Sequence, residues 1–130
     1  MQQRSFFLRT KLLPPRAVSD QLARPRLVER LRANLNLPIS MVAADAGCGK
    51  TTLVADFLRG QSRPSVWYQL DHTDADPFVF LGYVTEGIKT FAPEFGETIT
   101  PYLAEAGEEL LRFPERAIDL FLNEILESIE

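Results

Sequence analysis

With 130 residues, 45% of them hydrophobic and 25% charged, the chain has the make-up of one small globular domain or part of a larger one. No apolar run approaches the ~18 residues of a membrane span. The first nine residues lack the apolar core of a secretory signal. A single cysteine, Cys48, excludes an internal disulfide framework and suits the cytoplasm. The net charge of −4 is uneven: residues 1–70 carry 11 Lys and Arg against 4 Asp and Glu, residues 71–130 only 3 against 14. The basic half lacks the interleaved aromatic residues of a base-stacking surface. It therefore reads as an arm lining a polyphosphate site or as a solvated face.

In chain order, residues 10–25 show no period, and Pro14-Pro15 forces extended backbone, which predicts an arm or loop. Pro25 suits the first turn of a helix whose apolar stripe is Leu27, Val28, Leu31 and Leu35. Pro38 separates that helix from an apolar run, residues 39–44, which predicts a buried strand. Ala44-Asp45-Ala46-Gly47-Cys48-Gly49-Lys50-Thr51-Thr52 follows, and then Leu53 to Leu58 repeats at helical spacing. Strand, tight loop ending Gly-Lys-Thr and amphipathic helix are the parts of a phosphate-binding P-loop. Small residues let backbone N–H groups turn inward around an anion, and the helix N-terminus adds partial positive charge. Lys50 is expected to reach the β- and γ-phosphates of a bound nucleotide, and the Thr51 hydroxyl to ligate its Mg²⁺. Ala44 stands where the usual pattern has its first glycine. Cys48, near the helix N-terminus and Lys50, is placed where a thiol pKa falls.

Gly60 and Pro64 mark a stop and a loop, and Ser65-Val66-Trp67-Tyr68-Gln69-Leu70 predicts a second strand. Asp71 ends that strand: it either caps the loop that follows or serves as a functional carboxylate near Mg²⁺ or an acceptor substrate. Asp74 and Asp76 read as helix caps, and His72, the sole histidine, as a loop residue with no metal-ligand spacing around it. A helix follows Asp76-Pro77 with Phe78, Leu81, Val84, Ile88 and Phe91 on one face. Another runs from Thr100-Pro101 to about Arg112. A last begins near Pro114 with the stripe Ile118, Phe121, Leu122, Ile125, Leu126, Ile129. The expected fold class is α/β, a three-layer α/β/α P-loop NTPase with a parallel sheet, truncated with only its first two strands present. Residues 1–24 form an arm, and residues 25–130 the N-terminal part of a nucleotide-binding domain.

The ordered set Thr10-Lys11-Leu12, Pro15-Arg16, Arg24-Pro25-Arg26-Leu27-Val28-Glu29-Arg30-Leu31, Ala44 to Thr52, Trp67-Tyr68-Gln69-Leu70-Asp71, Asp74 and Asp76-Pro77 resembles one known family. It is similar to the N-terminal part of the NTPase domain of MalT-like, LuxR-type large ATP-binding transcriptional regulators, which belong to the STAND class of signalling NTPases. In that family alanine at the position of Ala44 is common, while Cys48 departs from an expected aromatic residue. The resemblance implies ATP and Mg²⁺ as ligands, a nucleotide-dependent switch with slow hydrolysis, and Arg24 and Arg26 near the nucleotide. It also implies Walker B aspartates, a sensor and a DNA-binding part beyond residue 130, so that this segment makes no direct DNA contact. Its partners are then the nucleotide, the remainder of its own NTPase domain or regulator, and a second copy on self-association. Weak or no hydrolysis is expected, because only the phosphate cradle is in place. Two other readings stand beside it: a small-molecule or nucleotide kinase fragment with Asp71 as acceptor-side carboxylate, and a non-catalytic interaction module with a vestigial P-loop.

Overall fold

Proline opens three of the helices, because its missing N–H is one that a first helical turn leaves unpaired anyway. A computed structural model describes residues 7–16, 24–43 and 49–128. Helix α1 spans Pro25–Ala33, α2 Lys50–Arg59, α3 Pro77–Lys89, α4 Ile99–Ala106, α5 Glu108–Arg112 and α6 Pro114–Ser128, with 3-10 turns at Arg9–Leu12 and His72–Ala75. Asp76 caps α3 as expected, its carboxylate accepting from the Phe78 N–H at 2.8 Å. The helix predicted to run to Arg112 breaks at Gly107, whose φ of 53° and ψ of −128° no continuing helix tolerates.

The expected three-layer α/β/α fold with a parallel sheet is overturned. Helical turns take up 62% of the described residues, and no strand occurs among them. Both runs predicted as strands are irregular: residues 39–43, with Ala44 lying outside the described residues, and residues 65–70. β-Propensity expresses how well a side chain fits a pleated, half-buried surface, and a strand forms only when a partner supplies its ladder. Among the described residues the first run receives no such backbone hydrogen bond. The second receives one, from the Gln69 N–H to the Lys11 carbonyl at 2.8 Å.

The chain divides into two compact units, one comprising residues up to Leu13 together with those from Ser65 onward, the other Pro14–Pro64. In the first, the helical unit, Leu81 and Ile88 of α3 meet Phe95, Ile99, Leu103, Leu110, Ala117 and Phe121 in a continuous core. Phe95 and Phe121 pack edge to face with centroids 5.7 Å apart. Val66 lies so close to α3 that a Cβ on Gly87 would fall 2.4 Å from its Cγ1. The face of α6 that turns inward is Ala117, Phe121 and Glu124, a line at i, i+4 and i+7. Of the predicted stripe, Phe121 is buried and Ile125 partly so, whereas Ile118, Leu122 and Leu126 are exposed. Glu124 has a specific use there. Its two oxygens accept from the N–H groups of Gly96 (2.7 Å), Thr98 (3.3 Å) and Ile99 (2.9 Å), satisfying the open start of α4 from a different helix.

In the Pro14–Pro64 unit, α1 packs on α2 but buries no residue completely. Helix α2 buries Leu53, Ala55 and Phe57. Ile39 and Met41 stay 82% and 86% exposed, so the apolar run before the loop is uncovered.

Candidate functional site

The phosphate-loop reading rests on nine residues, of which Gly49, Lys50, Thr51 and Thr52 are described. Ala44, Asp45, Ala46, Gly47 and Cys48 lie outside the described residues. Gly49 is the N-cap of α2 and adopts the left-handed conformation, φ 78° and ψ 26°. That conformation favours glycine, since an L side chain meets the following carbonyl. The Gly49 carbonyl accepts the first helical hydrogen bond, from the Leu53 N–H at 2.9 Å. As at any helix start, the N–H groups of the first turn of α2 find no acceptor within the helix itself.

The charges around this turn run against ordinary helix design. Helix α2 starts with Lys50 and has no acidic residue in its first turn, although the helix dipole favours negative charge there. The guanidinium of Arg24 lies directly over Gly49: a Cβ on the glycine would sit 2.6 Å from Arg24 Nη2. Arg24 is held there as the residue before Pro25, at the start of α1. Both cations therefore belong to one helix entrance. Thr51 is exposed beside Lys50, and Thr52 is half-buried. Among the described residues no cluster of three His, Cys, Asp or Glu side chains could hold a metal ion on its own.

Asp71 and Asp74 lie in the helical unit and are committed to local structure. Together they form a capping box on the turn His72–Ala75: Asp71 Oδ1 accepts from the Thr73 N–H at 2.8 Å, and Asp74 Oδ2 from the Asp71 N–H at 2.7 Å. Both carboxylates are also held by Lys11, a residue that sequence reasoning gave no role. Its Nζ lies 2.6 Å from Asp74 Oδ2 and 3.1 Å from Asp71 Oδ2, and 4.8 Å from the centre of the Tyr83 ring. Tyr68 donates its hydroxyl to Asp74 Oδ1.

The titration of the cluster follows from these contacts. Burial alone would lower the Lys11 pKa, but hydrogen bonds and charge from Asp74 and Asp71 outweigh it and hold the ammonium above 10.5. Burial would likewise raise the Asp74 carboxyl. Lys11, Tyr68 and the Asp71 N–H overcome it and keep the group below the usual carboxylate value. The Asp71 carboxyl is brought down to about 2, first by the Thr73 hydroxyl and N–H and then by Lys11. Tyr68 is pushed up by burial and by the neighbouring Asp74 carboxylate. The signal for this cluster was in the sequence, in a lone Lys11 within a Thr-Lys-Leu run and two aspartates three apart. Nothing in the spacing connects positions 60 residues distant.

Comparison with known proteins gives partial relatives. Over 80 residues the chain is 35% identical to the HTH-type transcriptional regulator MalT of Serratia proteamaculans and 32% identical to MalT of Vibrio cholerae. These matches take in 62% and 61% of the chain and 9% of each regulator. Over 107 residues it is 29% identical to the serine/threonine-protein kinase PknK of Mycobacterium tuberculosis, covering 80% of the chain and 10% of that protein. The chain thus spans about a tenth of the length of the curated relatives it matches. No protein-family model matches it, and no solved structure does. No helix among the described residues is long and apolar enough to cross a membrane.

Proposed function

We propose that this chain is the ATP-binding portion of a cytoplasmic, STAND-type signal-transducing regulator similar to MalT, in which ATP·Mg binding acts as a conformational switch. The observation that carries the reading is the left-handed Gly49 at the entrance of α2, immediately before Lys50 and directly beneath the Arg24 guanidinium. The partial relatives support it from another side. A segment found in a protein named as a transcriptional regulator and in one named as a protein kinase, and filling a tenth of each, suits a step common to both. DNA reading and protein phosphorylation are not common to both.

In this reading Lys50 and the N–H groups at the start of α2 hold the β- and γ-phosphates, Arg24 adds a second cation at the same turn, and the Thr51 hydroxyl meets the Mg²⁺ that the nucleotide brings. The ion would screen phosphate charge and orient the triphosphate. The chain's own residues bind and position, and little hydrolysis is expected from them. The kinase alternative, with Asp71 as acceptor-side carboxylate, gains nothing from the geometry, since both oxygens of Asp71 are engaged by Thr73 and Lys11. Titration of the chain with ATP·Mg, alongside Lys50→Ala, tests the proposal. A loss of affinity of about tenfold or more in the variant is expected, as for removal of one charge-assisted contact. Equal binding by the two proteins removes the phosphate loop from the argument and leaves the interaction-module reading.

A further inference from the structure

Residues 7–13 form a strap that lies on the helical unit as a bound peptide would. Phe7 packs edge to face on Tyr83, centroids 5.0 Å apart, and its ring carbons come within 3.1 Å of where a Cβ on Gly82 would stand. The Leu8 N–H donates to the Tyr83 hydroxyl at 3.0 Å. Four residues after Phe7, Lys11 enters the pocket formed by Asp71, Asp74, Tyr68 and Tyr83 and is only 8% exposed, while its carbonyl accepts from the Gln69 N–H at 2.8 Å. An aromatic anchor, a buried charged anchor and main-chain hydrogen bonds between them are the components of peptide recognition.

The strap's covalent path to this face is long. After Leu13 come Pro14 and Pro15, and the chain completes the whole Pro14–Pro64 unit before Ser65 rejoins the helical unit. Nothing local in sequence obliges the strap to dock on its own chain. Such an element can be exchanged between identical molecules without loss of a contact. We propose that the strap face is a recognition site for a Phe-x-x-x-Lys segment, and that its occupant in trans is the strap of a second copy of this chain. In the unaltered chain the tethered strap competes for the same site as an intramolecular ligand. Exchange therefore becomes visible when one molecule's strap and another's site are disabled separately.

The test mixes two full-length variants. The acceptor, Lys11→Ala, keeps the site and weakens the strap; the donor, carrying Asp71→Asn and Asp74→Asn, keeps the strap and weakens the site. Each alone is expected to sediment as a monomer and the equimolar mixture as a heterodimer, and adding Lys11→Ala to the donor should abolish the dimer. A mixture that stays monomeric while both variants retain helical circular dichroism overturns the proposal, as does a dimer indifferent to the donor's Lys11. Losing Lys11 leaves two carboxylates without their cation, so the acceptor can lose its fold. In that event a synthetic peptide of residues 7–13 serves as donor. Recovery of the helical signal on adding it, about tenfold weaker with norleucine in place of the lysine, supports the site. No recovery, or equal recovery with both peptides, overturns it.

Discussion

The helical unit and the Pro14–Pro64 unit draw on the same kind of sequence, amphipathic stretches opened by proline, and reach opposite outcomes. In the first, α3, α4, α5 and α6 bring seven apolar side chains into one core with Phe95 of the α3–α4 connection, and the polar start of α4 is closed by Glu124. In the second, α1 buries nothing completely and the apolar run at residues 39–43 faces solvent at Ile39 and Met41. The difference lies in whether a second apolar surface is within reach, since an amphipathic face is stabilised by what covers it. One unit is held by packing. The other buries Leu53, Ala55 and Phe57 of α2 and leaves α1 without a fully buried residue.

The sharpest way to break this contrast is to remove a large side chain from each unit. Phe121→Ala, at the centre of the helical core, should cost about 3–5 kcal/mol and abolish the cooperative melt of that unit by circular dichroism. Phe57→Ala in α2 should fall at or below the low end of that range, because loosely packed surroundings can close over a lost side chain. Equal losses in the two variants would mean that the Pro14–Pro64 unit is as tightly packed as the other. A smaller effect separates polar closure from packing. Glu124→Ala leaves the N–H groups of Gly96 and Ile99 without their acceptor and should cost about 1–3 kcal/mol. Glu124→Gln keeps an acceptor oxygen and should recover part of this in denaturant titrations.

Smaller again is the expected effect of Gly49→Ala on stability. The left-handed backbone costs an alanine about 1–2 kcal/mol. The added Cβ also falls 2.6 Å from Arg24 Nη2 and must displace it. If the turn serves a phosphate ligand, nucleotide affinity should fall by more than that modest strain explains. Isothermal titration beside a thermal melt separates the two. A variant that melts earlier yet binds ATP·Mg unchanged would make Gly49 a fold residue only.

How much of this was legible in the sequence depends on the range of the interaction that decides each feature. Helix starts at Pro25, Pro77 and Pro114 were legible because a proline, joined at Pro77 by the Asp76 cap, acts within one turn. The Gly49-Lys50 turn was legible for the same reason. The two strands were misread because alternation and β-branching at residues 39–44 and 65–70 describe a preference that only a neighbouring strand can satisfy. On α6 the stripe was wider than the face actually used, so Ala117 and Glu124 were missed while Ile118 and Leu122 were over-weighted. The assignment of Asp71 required knowing that Lys11 reaches it, and that contact exists only in the folded chain.

The same contact gives the smallest predicted effect, visible only as a dependence on pH. Folding holds the Asp71 carboxyl at about 2, below its ordinary 3.8, so its contribution is complete above about pH 4 and is lost as pH falls through about 2. Asp74 acts in the same direction. Lys11, held above 10.5, contributes fully below that pH and loses its part only at higher pH. The clasp between strap and turn should therefore be insensitive to pH across the neutral range and should slacken at the acid end. Asp71 is half-exposed, so water screens the pair and the effect is modest. Measured as the denaturant midpoint of the helical unit between pH 2 and pH 6, Asp71→Asn should flatten part of the slope seen in the unaltered chain. Parallel curves for the two proteins through that window would mean that the fold does not depend on the ionised Asp71, and that Asp74 alone holds Lys11.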